Sequence, residues 1–120
     1  MSIESVSAIT LATHDMARAA DFYSTLGFEL IYGDRDAPFT SWRAGVGYLN
    51  LTLQSEETQW SWWGRVIFYV DDVDAQFERA TAAGYSADTS PRDAEWGERY
   101  FHITDPDGHE LSFAKPLSPG

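Results

Sequence analysis

The chain has 120 residues, of which 43% are hydrophobic and 22% are charged, as is usual for one globular domain. It contains no cysteine, which excludes disulfides, thiolate metal sites and cysteine nucleophiles. The 19 acidic residues outnumber the 8 basic ones, and the net charge of -11 disfavours nucleic acids. The charge either favours cationic partners or only keeps the protein soluble. No apolar run approaches the ~20 residues of a membrane span. No basic and then apolar leader follows Met1, so we expect no membrane partner and a cytoplasmic location.

The first half of the chain is predicted to form a strand, a helix and three further strands. A first strand over 7–13 precedes a helix over 15–26, which Asp15 caps and Gly27 follows. Apolar residues recur along this helix at helical spacing, at Met16, Ala19, Ala20, Tyr23 and Leu26. The next three strands are predicted over 28–32, 39–43 and 48–54.

The second half repeats this order at a constant offset, since Asp15 aligns with Asp72 (72 − 15 = 57) and Gly27 with Gly84. A helix is predicted over 72–83. The strand before it, over 65–70, is apolar on both faces and is therefore predicted to be a central strand. Further strands are predicted near Tyr85 and over 98–104 and 109–115. A turn over 105–108 joins the last two.

The repeat predicts two βαβββ modules, over 3–56 and 64–115, which a tryptophan-rich connection over 57–63 joins. In the closing strand of each module, apolar and polar side chains alternate. The apolar faces should carry the helices, and the polar faces either meet water or line a shared cleft. We predict an α+β fold in which the modules form a partly closed mixed sheet around a cleft, with the helices on the outer face.

Several motifs within this repeat resemble those of the vicinal oxygen chelate superfamily. They are Asp21-Phe-Tyr, Leu26-Gly-Phe28, Trp96-Gly-Glu-Arg-Tyr-Phe and Asp105-Pro-Asp-Gly108. The superfamily includes glyoxalase I, extradiol dioxygenases, fosfomycin-resistance enzymes and bleomycin-resistance proteins, and the likeness extends over about residues 3–115. Because one scaffold hosts several chemistries, the resemblance specifies the fold more closely than the function.

Metal enzymes of the superfamily hold a divalent ion with four side chains, from the first and the last strand of each module. The resemblance implies that these positions are Ala8, Asn50, Arg65 and Glu110, and that they converge on one pocket. Alanine has no donor atom and arginine stays protonated, so only Glu110 is a good ligand. We therefore expect no metal and no cofactor, and an ion pair between Arg65 and Glu110.

Two alternatives to this interpretation stay open. His14, His102 or His109 would have to rebuild a metal site if the protein is a metal-dependent lyase or dioxygenase like glyoxalase. A metal-free enzyme of the same fold would use Glu110 or His102 as its general base.

The bleomycin-resistance proteins resemble the chain most among the members without a metal. The resemblance implies a small homodimer that binds a flat, aromatic and cationic antibiotic-like molecule in a groove and does not alter it. Five tryptophans offer faces for stacking, although each is as suited to packing within the protein. We assign no catalytic residue. The candidate ligand-binding residues are Trp42, Asn50, Thr52, Trp60, Trp62, Trp63, Arg65, Trp96, Arg99, Phe101, Glu110 and Ser112.

Overall fold

A computed structural model of the chain describes residues 2–118. The chain divides after Trp60 into two compact units, and each unit contains one helix and one mixed four-stranded sheet. Neither sheet is closed on itself. The predicted α+β class and the βαβββ modules are therefore confirmed. The division between the units falls inside the connection predicted over 57–63.

The first unit follows the predicted order of elements. These are β1 (Ala8–Thr13), α1 (Met16–Thr25), β2 (Glu29–Tyr32), β3 (Phe39–Ala44) and β4 (Gly47–Leu53). The strands lie in the order β1-β4-β3-β2. β1 and β4 are parallel, whereas β4 and β3, and β3 and β2, are antiparallel.

The second unit has the same topology. Its elements are β5 (Arg65–Tyr69), α2 (Val73–Ala82), β6 (Arg92–Asp93), β7 (Glu98–Thr104) and β8 (Glu110–Pro116). The strands lie in the order β5-β8-β7-β6, with β5 and β8 parallel. The β7–β8 hairpin closes through the predicted turn, where the amide of Gly108 donates to the carbonyl of Asp105 at 3.0 Å.

Both helices begin at the predicted caps. The Asp15 carboxylate accepts a hydrogen bond from the amide of Arg18 at 3.1 Å, and the Asp72 carboxylate accepts one from the amide of Ala75 at 3.0 Å. Each bond satisfies an amide that the first helical turn leaves without a partner. Within residues 2–118, neither helix is long and apolar enough to cross a membrane.

The apolar face of each sheet carries the helix of its own unit, as predicted. Leu49 and Leu51 of β4 are fully buried on the side of α1. In the second unit the ring of Phe77 on α2 packs edge-on against Phe101 of β7, with ring centres 5.5 Å apart. Leu111 of β8 is fully buried beside them. The opposite face of each sheet is the one that these helices leave open.

Two predictions for the second unit are wrong. β5 is the edge strand of its sheet and not a central one, and the side chains of Ile67 and Tyr69 are 61% and 64% exposed. A continuous apolar run does not distinguish a strand with two neighbours from one with a single neighbour. No strand forms at Tyr85 among the described residues. The chain pairs instead at Ala87, in an isolated bridge to Ile103, and at β6.

Candidate functional site

The open face of the second sheet gathers several polar and aromatic side chains in contact with one another. We define this open face by the residues of β5, β7 and β8 that alternate with those on the side of α2. Strand register places these residues side by side in three rows, Arg65–Glu110–Thr104, Ile67–Ser112–His102 and Tyr69–Ala114–Tyr100. Glu98 continues the face at the start of β7.

Arg65 and Glu110 form the predicted ion pair on this face. They are register partners on two adjacent parallel strands, and Nη2 of the arginine lies 2.6 Å from Oε1 of the glutamate. About a third of the arginine side chain and a quarter of the glutamate side chain remain exposed. The guanidinium therefore neutralises the carboxylate at a partly desolvated position.

A histidine and a serine lie next to this ion pair. Nδ1 of His102 is 2.6 Å from Oγ of Ser112, which is buried. Burial, followed by the positive charge of Arg65, lowers the pKa of His102 below its usual value of 6.5. The imidazole is therefore neutral at neutral pH and shares a hydrogen bond with a neutral hydroxyl group.

Three rings stand in a row along β7 and the loop before it. The ring centres of Trp96 and Tyr100 are 5.3 Å apart, and those of Tyr100 and His102 are 4.9 Å apart. Arg92 donates to the hydroxyl of Tyr100 at 2.7 Å, and its guanidinium lies 5.3 Å from the centre of that ring. The indole at the end of the row is 65% exposed. Tyr100 in the middle of the row is buried, so the ring that a flat ring system can stack on is the exposed indole of Trp96.

The carboxylate of Glu98 lies between two exposed aromatic side chains. Its Oε1 accepts a hydrogen bond from the indole N–H of Trp96 at 3.0 Å, and its Oε2 accepts one from the hydroxyl of Tyr69. The bond to the carboxylate raises the pKa of Tyr69, since it favours the protonated phenol. Both donors are neutral, so neither cancels the negative charge of Glu98.

The open face of the first sheet carries a shorter polar chain. The amide of Asn50 donates to the hydroxyl of Thr10 at 3.2 Å, and the hydroxyl of Ser41 donates to the carbonyl oxygen of Asn50 at 2.6 Å. These bonds run across three neighbouring strands. Thr52 lies two residues further along β4, and its hydroxyl accepts a hydrogen bond from Gln54 at 3.3 Å.

The positions that correspond to metal ligands in the family do not fit a divalent cation. In the second unit the guanidinium of Arg65 already binds the carboxylate of Glu110 and would repel a cation. In the first unit the register partner of Ala8 is Tyr48, a weak ligand, and the amide of Asn50 is engaged by its neighbours. Within residues 2–118, no group of three or more histidine and acidic side chains could hold a metal ion.

The three histidines are engaged in separate contacts. His14 stacks on Trp60 with ring centres 4.3 Å apart, and its Nε2 lies 2.9 Å from the carbonyl oxygen of Thr58. His109 is buried and accepts a hydrogen bond from the indole of Trp63 at 2.7 Å. His102 lies on the open face of the second sheet, as described above.

Three candidate ligand-binding residues lie on the helix faces of their sheets and not on the open faces. Trp42 is 2% exposed, and its indole donates to Thr40 at 2.9 Å. Phe101 is fully buried. Arg99 lies on the same side of β7 and binds Asp74 of α2 through two hydrogen bonds of 2.8 Å. Alternation along each strand turns these side chains towards the helices. These three side chains therefore do not lie on the open faces.

The connection between the units contains three tryptophans, Trp60, Trp62 and Trp63. Trp60 belongs to the first unit, where it stacks on His14. Trp62 and Trp63 belong to the second unit, and the side chain of Trp62 is 71% exposed. Trp63 is held by its bond to His109. The indole of Trp62 is thus the most exposed of the five.

Sequence reasoning missed Tyr69, Glu98 and Tyr100 as candidates. The signal that identifies the two residues of β7 is the hairpin turn over 105–108. Counting outward from that turn places positions 98, 100 and 102 on the same face as positions 110 and 112, and positions 99 and 101 on the other.

The chain matches a known protein family over nearly its whole length. A model described as Glyoxalase/Bleomycin resistance protein/Dioxygenase superfamily matches residues 5–113. The chain belongs to this superfamily. The resemblance to the vicinal oxygen chelate proteins is therefore confirmed over nearly the whole chain, from before β1 into the first half of β8.

Solved structures share the fold of this superfamily member. TioX from Micromonospora sp. ML1 is 29% identical, with a TM-score of 0.77 over 95% of this chain and 100% of its own. Lactoylglutathione lyase from Agrobacterium tumefaciens is 19% identical, with a TM-score of 0.76 over 95% of each chain. A glyoxalase/bleomycin resistance protein/dioxygenase from Nocardioides is 21% identical, with a TM-score of 0.74 over 100% of this chain and 88% of its own.

Closer identity is found over a shorter stretch. Uncharacterized proteins of Mycobacterium bovis and Mycobacterium tuberculosis are 46% identical to the chain over 48 residues. That stretch is 40% of this chain. It spans 32% of the M. bovis protein and 28% of the M. tuberculosis protein, about a third of their length.

Proposed function

We propose that the protein binds a flat, aromatic and positively charged antibiotic-like molecule, and sequesters it without a metal and without altering it. One observation carries the proposal. On the open face of the second sheet, an arginine–glutamate ion pair occupies two metal-ligand positions of the family, beside a row of aromatic rings. Such a face can stack on a ring system, while its arginine opposes a catalytic cation.

The charge of the chain supports the cationic character of the ligand. A net charge of -11 raises the local concentration of cations near the protein. The exposed indole of Trp96 adds an attraction for a cation that lies over its face, which is worth about 0.5–1 kcal/mol at an exposed site. Binding proteins of the bleomycin-resistance type belong to the same superfamily, which is consistent with this proposal.

Calorimetric titration with bleomycin and a set of cationic intercalating antibiotics tests the proposal. We expect micromolar binding, and recovery of the unaltered ligand by mass spectrometry. Trp96→Ala should weaken this binding by about tenfold, because stacking on one indole contributes about 0.5–1.5 kcal/mol beyond the buried area. Val46→Ala, at a fully exposed hairpin tip, is the control and should leave binding unchanged. If no member of the set binds, the proposal is wrong.

Metal analysis separates this function from a metal-dependent lyase or dioxygenase. The protein should be purified without chelators and its nickel, zinc, iron and manganese measured. We expect less than stoichiometric amounts of each, because Arg65 binds the carboxylate that would ligate the ion. A stoichiometric metal content would contradict metal-free binding.

A second candidate function rests on His102. Its lowered pKa keeps the imidazole neutral and able to accept a proton, and its Nδ1 lies 2.6 Å from the Ser112 hydroxyl. A metal-free enzyme would use such a histidine as its general base. If mass spectrometry shows that the protein converts a bound ligand and that His102→Gln does not, the enzyme replaces the binding protein as the function.

A further inference from the structure

We propose that Glu98 is the residue that selects a positive charge in the ligand. The ligand's cationic group would bind its carboxylate between the rings of Trp96 and Tyr69. This inference rests on the proposed function, because it assigns a role within the same binding face. The carboxylate and its two aromatic neighbours are called the Glu98 clamp below.

The two glutamates of the open face differ in the charge that they retain. Glu110 lies 2.6 Å from the guanidinium of Arg65, so the pair carries no net charge. Glu98 accepts its hydrogen bonds from an indole N–H and a phenol O–H, which are both neutral. A neutral donor orients a carboxylate but leaves its negative charge in place. The negative charge of Glu98 is therefore left in place by its neutral donors, whereas that of Glu110 is offset by Arg65.

The clamp is also organised before any ligand arrives. Each oxygen of the Glu98 carboxylate is bound by a different side chain, which restricts its rotation. The indole of Trp96 is held at its N–H by this bond and rests against Tyr100, while 65% of its surface remains exposed. A ligand therefore meets an ordered carboxylate beside ordered ring faces, and little conformational entropy is lost on binding.

The neighbouring charges determine the orientation in which the ligand binds. The guanidinium of Arg92 lies over the ring of Tyr100 and donates to its hydroxyl, whereas Glu98 bonds the indole of Trp96. A cation is repelled beside Tyr100 and attracted at the Trp96 end of the row. The remaining ring system then stacks on the exposed indole of Trp96. Rings supply the contact area, and Glu98 supplies the discrimination between charged and neutral ligands.

A pair of matched probes tests this inference. 9-Aminoacridine is protonated at mildly alkaline pH, whereas acridine of nearly the same shape is neutral there. Dissociation constants for both are measured by fluorescence titration of the wild-type chain and of Glu98→Gln. We expect Glu98→Gln to bind 9-aminoacridine about tenfold more weakly, as for a lost charge-assisted hydrogen bond, and acridine within about twofold of the wild type. Unchanged acridine binding also shows that the variant is folded.

Two further variants complete the design. Glu78→Gln removes one negative charge from the exposed side of α2, and should leave the affinity for both probes unchanged. Glu98→Asp keeps the charge on a shorter side chain, and should retain most of the preference for 9-aminoacridine. Equal losses in Glu98→Asp and Glu98→Gln would show that the role of Glu98 is structural, and would overturn the inference.

The outcomes separate this inference from the proposed function. If the wild-type chain binds neither probe, the proposed function and the inference both fail. If the wild-type chain binds both probes and Glu98→Gln keeps the preference for the cation, the proposed function stands and the assignment to Glu98 is wrong. If Glu98→Gln alone loses that preference, the inference is supported.

Discussion

Arg65 acts electrostatically on two neighbours on the open face of the second sheet. Its guanidinium neutralises Glu110 directly. It also lowers the pKa of His102, as a contribution second to burial. One side chain therefore keeps a carboxylate from acting as a free anion and helps to keep an imidazole neutral. An arginine at a position that holds a metal ligand in the family does more than remove one donor atom, because it also adds a positive charge that acts on Glu110 and His102.

We predict that Arg65→Met raises the pKa of His102. The substitution removes a positive charge that disfavours the imidazolium and leaves the Glu110 carboxylate, which favours it. An NMR titration of the imidazole measures the change. Arg79→Met is the matched control, because Arg79 lies on α2 and binds Gln76 there. An equal pKa of His102 in the wild type and in Arg65→Met would contradict the prediction.

The same lowered pKa makes stability depend on pH. The unfolded chain protonates His102 near 6.5, whereas the folded chain does so at a lower pH. The unfolded state therefore binds more protons just below pH 6.5, and the free energy of unfolding falls as the pH is lowered through that window. We expect His102→Gln to reduce this fall in urea denaturation curves, since glutamine does not titrate. An equal slope in both proteins would count against it.

At the scale of elements, the helices could be predicted closely because their signals are local. Asp15 and Asp72 cap the observed helices, and each predicted end falls within one residue of the observed one. A capping aspartate bonds amides of the first helical turn, and a glycine after the helix allows the backbone to turn at its last carbonyl groups. No knowledge of distant residues was needed to place them.

Asp72→Ala should destabilise the second unit by about 1 kcal/mol, because the amide of Ala75 loses its acceptor at the start of α2. Asp72→Asn is the matched control, since asparagine caps helices about as well as aspartate. Urea denaturation monitored by circular dichroism measures both changes. A loss of similar size in Asp72→Asn would show that the charge, and not the cap, stabilises the helix.

Replacement of Gly33, between β2 and β3, should cost more stability than replacement of Gly84, which follows α2. Both Gly33 and Gly84 have positive φ angles, which cost other residues about 1–2 kcal/mol. A Cβ atom at Gly33 would lie 2.5 Å from the carbonyl oxygen of Phe39, whereas one at Gly84 would have no atom within 4 Å. We expect Gly33→Ala to lower the free energy of unfolding by about 3 kcal/mol and Gly84→Ala by about half as much. Equal losses would contradict the steric part of this argument.

The residues of the open face were harder to predict than the strands that form it. The resemblance led to Arg99 and Phe101, whereas Glu98 and Tyr100 are the neighbours that lie on the open face. In a strand a shift of one residue moves a side chain to the other face of the sheet. A motif can therefore identify a strand and still leave open which of its residues reach a ligand. The edge position of β5 was missed for a related reason, since strand order depends on residues far apart in the sequence.

At the scale of the whole molecule, the charge and the Glu98 clamp should act on different steps of binding. The net charge of -11 is spread over 19 acidic residues, so its field extends well beyond any one contact. Such a field speeds the approach of a cation and is screened by salt over about 10 Å at 0.1 M. A single carboxylate in contact with the ligand instead slows its departure.

Stopped-flow measurements with 9-aminoacridine should separate these two contributions. Raising the salt concentration from about 0.05 M to about 0.5 M should slow association by roughly tenfold, and should leave the association of neutral acridine nearly constant. In Glu98→Gln the association rate and its dependence on salt should stay close to the wild type, because 18 of the 19 acidic residues remain. The dissociation rate should rise by about tenfold.

If salt slows both probes equally, the field of the chain does not steer the cation. If Glu98→Gln changes the association rate alone, Glu98 acts through the general charge and not through contact.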